Sequence, residues 1–325
     1  MIEIDHLVKD FGSFRAVDDL SFSVEKGQVL GFLGPNGAGK STTMKMITGY
    51  LAPTSGTARL LDMDVLKNPV GVKRVLGYLP EGAPAWPDMT VHGFLKFIAE
   101  ARNIHKAEIA SAMNAVVEKT NLETVLDQSI QTLSKGFKRR VGLAQALIHN
   151  PQVLIMDEPT DGLDPNQKKD IRDLITSMAE EKAIIISTHI LEEVEVICNR
   201  AMIIDGGKIV ADDTPAGLEA RSHLHNSVRL SFSAADMEKA EKILSGAAFS
   251  ASVEKVAENS ILVLSPGQKA ILDQTQACLT QASLKPLEIQ VERGRLDDVF
   301  RSLTGSDVQK AKAANSTATN SGKGA

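Results

Sequence analysis

Gly34-Pro35-Asn36-Gly37-Ala38-Gly39-Lys40-Ser41-Thr42 follows the apolar run Val29-Leu30-Gly31-Phe32-Leu33 and opens a stretch of helical character over about 41–48. It matches G-x-x-x-x-G-K-[ST], whose glycines let the backbone curl so that successive N–H groups face one anion. The helix behind it adds its positive N-terminal end. In that pattern Lys40 reaches the β- and γ-phosphates of a nucleotide and the Ser41 hydroxyl ligates Mg²⁺. Gly34, Pro35, Asn36, Gly37, Ala38, Gly39 and Thr42 form the rest of the cradle. A ligand-free Gly-rich turn is the plainer alternative, but it explains neither the lysine nor the strand-before, helix-after setting.

A second stretch, Val153-Leu154-Ile155-Met156-Asp157-Glu158, reads as a buried strand ending in acid. Alone, it is a strand with a solvated end. Beside a phosphate-binding loop, Asp157 becomes the residue that holds Mg²⁺ through water. Glu158 is then placed to polarise an attacking water. These two motifs are shared by kinases, GTPases and several motor families, and do not separate them.

A third stretch does. Leu133-Ser134-Lys135-Gly136-Phe137-Lys138-Arg139-Arg140-Val141 starts a helix just before the Asp157 strand, with Ser134 a natural N-cap. Here the chain resembles the ATP-binding subunit of an ABC transporter, whose signature is usually written L-S-G-G-Q. Lys135 and Phe137 stand where that pattern has a Gly and the Gln. The resemblance implies that Ser134 and Gly136 contact ATP held by the other subunit, on the exposed N–H groups of a helix start.

Other elements of the family fall in the same order. Ser187-Thr188-His189 follows a strand, and the resemblance makes His189 the contact to the γ-phosphate. Asp161-Gly162-Leu163-Asp164-Pro165 is similar to the loop that touches the opposite subunit, with Asp164 at the nucleotide, although Asp164-Pro165 is also a good helix start. Phe11, before Gly12, matches the aromatic on which adenine stacks. Gly77-Tyr78-Leu79-Pro80-Glu81 occupies the place of the loop joining the core to a helical insert, with Glu81 where most members have Gln. Lys40, Glu158 and His189 are thus the expected catalytic set, Ser41 and Asp157 the metal pair, and ATP with Mg²⁺ the cofactors. Trp86, the single tryptophan, suits core packing and partner contact equally.

The resemblance covers about residues 1–220, an α/β P-loop cassette with a helical insert at about 88–150. Within it, strands and helices alternate from Val153–Asp157 through a helix at Pro165–Ala179 to Gly206-Gly207, a turn between strands, as a largely parallel sheet requires. Beyond the turn-prone 223–226, alternation and helical spacing give strand, helix, two strands, helix and strand over 226–305, resembling a ferredoxin-like βαββαβ domain. Residues 306–325 are Ala, Ser, Thr, Asn, Gly and Lys, expected as a disordered tail. Leu296-Asp297-Asp298-Val299-Phe300-Arg301-Ser302-Leu303-Thr304-Gly305 is similar to the C-terminal extension of bacterial exporter ATPases of the gliding-motility and multidrug type. Ile47-Thr48-Gly49-Tyr50-Leu51 and Leu79-Pro80-Glu81 point the same way.

Composition narrows the function classes. The chain of 325 residues has 36 basic and 41 acidic side chains, a net charge of −5, which disfavours a dedicated nucleic-acid binder. No apolar run approaches the roughly 18–20 residues of a membrane span, and the start lacks a signal peptide's basic and apolar blocks. Two cysteines with no paired spacing fit a reduced, cytoplasmic setting. The resemblance therefore implies an ATPase that dimerises with itself or a related cassette. It would power transport, in the export direction, through separately encoded polytopic membrane permease subunits, peripheral on the inner face of the cell membrane. A soluble ABC-type ATPase acting on ribosomes or DNA is the alternative, and it usually carries two cassettes or a long coiled-coil insert. A non-enzymatic nucleotide sensor would have lost one of Lys40, Asp157, Glu158 or His189, all of which are present.

Overall fold

Strands β1 (Ile2–Phe11), β2 (Phe14–Val24) and β3 (Val29–Leu33) open the chain, and helix α1 (Lys40–Ile47) follows the Gly-rich loop. The structure, a computed structural model, describes residues 1–304, so the tail expected over 306–325 lies outside the described residues. The chain divides into two units, the first ending at Asp212 and the second beginning at Asp213. The first continues with β4 (Ser55–Leu60), β5 (Met63–Asp64), α2 (Pro69–Val75) and β6 (Leu76–Leu79). Helices α3 (Val91–Ala101), α4 (Lys106–Thr120) and α5 (Lys135–Leu147) form the helical insert. Strand β7 (Val153–Asp157), α6 (Pro165–Ala179), β8 (Ala183–Thr188), α7 (Leu191–Ile197), β9 (Arg200–Asp205) and β10 (Lys208–Asp213) complete it.

Two sheets form where the sequence led us to expect one. The six-stranded sheet has the order β10-β9-β3-β8-β7-β6, and β9, β3, β8, β7 and β6 pair in parallel. Strands β3, β7 and β8 are buried along their whole length, as a parallel sheet covered on both faces demands. Strands β1 and β2 instead alternate, Ile2 and Ile4 buried and Glu3 and Asp5 exposed, and belong to a separate sheet, β2-β1-β4-β5, with antiparallel pairing. Met44, Met46 and Ile47 of α1 share one core with Leu7 and Leu20 of this sheet and with Ile155 and Ile185 of the other. At about 1.5–3 kcal/mol for each fully buried apolar side chain, that core fixes α1 and the loop before it.

Gly77-Tyr78-Leu79, expected as part of a loop, is strand β6, paired with β7 from Leu76↔Val153 to Leu79↔Met156. The ladder satisfies its backbone, and the loop begins only at Pro80, which has no N–H to donate. Trp86 is not a core residue: it is 52 % exposed and meets Phe97 edge-on at 4.8 Å.

The second unit starts earlier than the expected 226. Helix α8 (Pro215–Glu219) belongs to it, and Asp213 pairs with Arg221 at 2.7 Å. Residues 221–226 are tied down by Gln268 Nε2 donating to the Arg221 carbonyl and by the Asn226 N–H donating to that of Glu292. These bonds hold the turn-prone stretch in place. Strand β11 (Val228–Ser231), α9 (Ala234–Ser245), β12 (Ser252–Ala257), β13 (Ser260–Leu264), α10 (Leu272–Gln281) and β14 (Glu288–Val291) follow, then a helix over 296–304. The sheet order is β12-β13-β11-β14, antiparallel throughout, over a separate core containing Val228, Phe232, Leu244 and Ile261.

Phe32 is fully buried and its ring packs 5.8 Å from that of Phe22. Phe32→Ala is expected to destabilise the first unit by about 3–5 kcal/mol, read as a lower denaturation midpoint in urea. An unshifted midpoint would contradict the assigned core.

Candidate active site

Parallel register alone collects the chemistry at one sheet edge. Leu33 pairs with Thr188, and Asp157 with Ser187, so the ends of β3, β7 and β8 lie side by side. The Gly-rich loop, the acidic pair and His189 leave those three ends, at the carboxyl edge where α/β sheets bind ligands.

Gly39 caps α1 at φ 104°, a conformation closed to L side chains, and a Cβ there would lie 2.5 Å from the Ala16 carbonyl oxygen. The next residue, Lys40, is buried and donates to the carbonyls of Gly34 at 2.5 Å and Pro35 at 3.1 Å. Burial pushes its ammonium below the usual lysine range, while the charges of Glu158, Asp157 and Glu81 pull it back up.

Asp157 is buried, and the Ser187 hydroxyl donates to its Oδ1. Glu158 sits at φ 51°, a left-handed conformation costing about 1–2 kcal/mol for an L residue. Its N–H, donating to the Ser187 carbonyl at 2.9 Å, holds it there. His189 Nδ1 lies 2.9 Å from Glu158 Oε2. Burial raises the Glu158 carboxyl above its ordinary range, and the hydrogen bond and charge of His189 work against that rise. A carboxylate so placed can take a proton from water, with the imidazole fixing its direction.

A cleft of about 280 Å³ is lined by Phe11, Phe14, Ala16, Asn36, Gly37, Gly39, Lys40, Ser41, Thr42, Glu81, Asp157 and Glu158. Of the other residues expected at nucleotide, Gly34 and Pro35 hold Lys40 from beneath, and Ala38 is buried. Three more stand outside this lining. Ser134 is exposed and caps α5, accepting from the Phe137 N–H at 3.3 Å; Asp164 is exposed and caps α6, accepting from Gln167 at 2.9 Å. Gly136 lies buried, and the Gln167 side chain fills the space a Cβ would take. Lys135, one of the departures from the usual signature, pairs with Asp161 at 3.2 Å.

Sequence reasoning missed four contributors. Phe14 is the register partner of Phe11 across the turn at Gly12, so two half-exposed aromatic rings, not one, flank the cleft. The aromatic pair around Gly12-Ser13 was the available signal. Ser187 was seen only as part of a motif. Glu193, a buried acid on α7, accepts from the Thr160 hydroxyl and, at 3.4 Å, from Thr188. Arg139, also buried, donates to the carbonyls of Pro159 at 3.1 Å, Pro80 at 3.2 Å, Asp157 and Glu158.

Residues 17–161 match the family model described as ABC transporter. The chain is 36 % identical over 223 residues to the "Probable multidrug ABC transporter ATP-binding protein YbhF" of Escherichia coli, covering 68 % of this chain and 38 % of that protein. It therefore spans well under half the length of that relative. It is 31 % identical over 306 residues to the linearmycin resistance ATP-binding protein LnrL of Bacillus subtilis, covering 94 % of this chain and 98 % of that one. Among solved structures, one described as an ATP-binding subunit of an ABC transporter superposes with a TM-score of 0.63 at 28 % identity. That match covers 67 % of this chain and 92 % of the other.

Because folding raises the Glu158 carboxyl, its ionised form costs stability. The cost is absent below the unfolded carboxyl value of about 4.3 and sets in as pH rises through the folded one. Glu158→Gln is accordingly expected to melt above the parent chain at neutral pH, with the gap closing below pH ~4. Calorimetry at the two pH values checks this, and a lower melting point at neutral pH would contradict it.

Proposed function

The chain belongs to the ATP-binding subunits of ABC transporters, and from that premise we propose that it hydrolyses ATP to drive export through separately encoded membrane subunits. The carrying observation is the Glu158–His189 pair, which shares one sheet edge with the Lys40 loop. Backbone N–H groups of 36–42 and the Lys40 ammonium take the triphosphate, and Phe11 or Phe14 offers a ring face to the base. Glu158 accepts the proton of the attacking water, and His189, bonded to its Oε2, sets the direction of that transfer. The oxygens of Ser41, Asp157 and Glu81 are hard donors lining one cleft, a set that suits Mg²⁺. Bound there, such an ion would supply positive charge against that of the phosphates.

Ser134 and Asp164 stand outside the chain's own cleft, which supports a reading in which each serves the nucleotide of a second cassette. The exposed N-terminal end of α5 is a ready anion site for that purpose. A homodimer then has two composite sites.

Among the described residues no helix is long and apolar enough to cross a membrane. The membrane connection rests instead on a groove of about 660 Å³ lined by Tyr50, Leu76, Tyr78, Trp86, Phe94 and Ile98, among others. Trp86 at 52 % and Tyr50 at 78 % exposure leave aromatic surface uncovered, of a kind that takes a short helix of a partner. We assign that place to a loop helix of the membrane subunit, on the inner face of the membrane. The near end-to-end match to a resistance ATP-binding protein supports the export direction.

Glu158→Gln should bind ATP as tightly as the parent chain, lose turnover by about 10²–10⁴-fold, and run as a dimer in ATP on size-exclusion chromatography. Full turnover would remove Glu158 as the base. Lys40→Ala should lose nucleotide binding itself, measured by calorimetric titration, and parental affinity there would remove the loop assignment. Tagged Glu158→Gln protein drawn from detergent-solubilised membranes should bring a polytopic membrane protein with it. Recovery with ribosomes or DNA instead would replace transport by the soluble alternative.

A further inference from the structure

Arg139 carries a buried charge that the chemistry above does not use. It lies on α5, one turn and a half beyond Ser134, or about 7 Å along the helix axis. Among the described residues its guanidinium forms no ion pair with a carboxylate. It donates through Nε to the Pro159 carbonyl, through Nη1 to that of Pro80, and through Nη2 to those of Asp157 and Glu158. Three chain segments therefore meet on one side chain: the signature helix, the loop that carries Glu81, and the acidic end of β7.

Burying a guanidinium is costly, and here the four carbonyl dipoles, with the charges of Asp157, Asp161, Glu158 and Glu81 nearby, offset that cost. The fork shape matters. Five N–H donors in a fixed plane can span carbonyls on both sides, whereas a lysine ammonium is a single point charge. Close packing stiffens the same joint: at Gly142, on the same helix, a Cβ would lie 2.6 Å from that of Ala83. Helix α5 thus rests directly on the loop after Pro80, and a displacement of its N-terminal end has little slack to absorb it.

We propose that Arg139 is the positioning residue that couples the Ser134 end of helix α5 to Glu158 and Glu81 of the chain's own cleft. The proposal rests on the ATPase reading given above. Nucleotide held at Ser134 across a dimer orders α5, and the Arg139 fork carries that order to the backbone beneath Glu158. Each copy then hydrolyses its ATP at a rate set by whether its Ser134 face is engaged. The consequence is cooperative turnover between the two composite sites.

The test uses the full chain with Arg139→Lys and Arg139→Met, each first checked for a parental melting profile. Affinity for a fluorescent ATP analogue should stay within about twofold, because the Lys40 loop is untouched. Turnover should fall on the order of 10–100-fold, the scale of a small misplacement of reacting groups, and the ATP dependence should lose its sigmoidal form. Lysine should fail to restore either property. Restoration of both by Arg139→Lys would overturn the proposal, since any buried cation would then serve. A raised KM with unchanged kcat would overturn it too. A parent chain without ATP turnover would remove the ATPase reading and the coupling together, whereas an active parent matched by Arg139→Lys removes the coupling alone. If both variants fail to fold, hydrogen exchange on Glu158→Gln decides. Adding ATP should protect the amides of Glu81, Gly82, Asp157, Glu158, Thr160 and Asp161 along with 134–137, and protection confined to 134–137 would overturn the coupling.

Discussion

Negative charge held away from water at the end of β7 is what the rest of the cassette is arranged around. Asp157 is buried and Glu158 is pushed toward its neutral form, so each nearby donor or cation lowers a real cost. The Ser187 hydroxyl and the His189 ring at the end of β8, the Lys40 ammonium and the Arg139 fork arrive from three different segments. None is near Asp157 in the chain. Parallel register brings three of them, and the packing of α5 brings the fourth. The same charges that strain the folded chain are those able to hold a hard cation and accept a proton, so destabilisation and chemistry share one origin.

Much of this was legible before any coordinates. The loop at 34–42 and the strand at Val153–Asp157 carry their meaning in residue type and order, because phosphate binding and a doubly covered strand each demand a local pattern. Helix starts at Ser134 and Asp164 were equally plain, since capping is a local interaction, and both side chains accept the expected N–H. What escaped the sequence was whatever depends on distant partners. Strand β6 has only four residues and is a strand because β7 lies beside it. Strand β12, with one half-buried and five exposed residues, shows no alternation to read. Arg139 looked like one of three consecutive cations, Lys138, Arg139 and Arg140, and only the fold reveals that it is the buried one. Glu158 gives no sign in the sequence of its left-handed backbone.

Ser134 and Asp164 lie outside the lining of the chain's own cleft, at the starts of α5 and α6. On the proposed reading these two residues would serve a second cassette's nucleotide as well as cap helices of their own. Each caps a helix in its own subunit, and each thereby sits where unsatisfied backbone N–H groups face outward. Lys135, an exposed departure from the usual signature, pairs there with Asp161. The second unit has its own core and its own sheet, and its extent is matched by the Bacillus subtilis relative nearly to its end.

The claim on which the rest depends is that one copy's Lys40 loop is completed by another copy's Ser134. Mixing two inactive chains, Lys40→Ala and Ser134→Arg, tests it most directly. In the mixed dimer one composite site has both lesions and the other has neither. The account expects ATPase activity to return on mixing above that of either chain alone, with about a quarter of the parental rate as the ceiling if subunits exchange freely, since the coupling through Arg139 slows a lone intact site. A mixture no more active than its separate parts would contradict it.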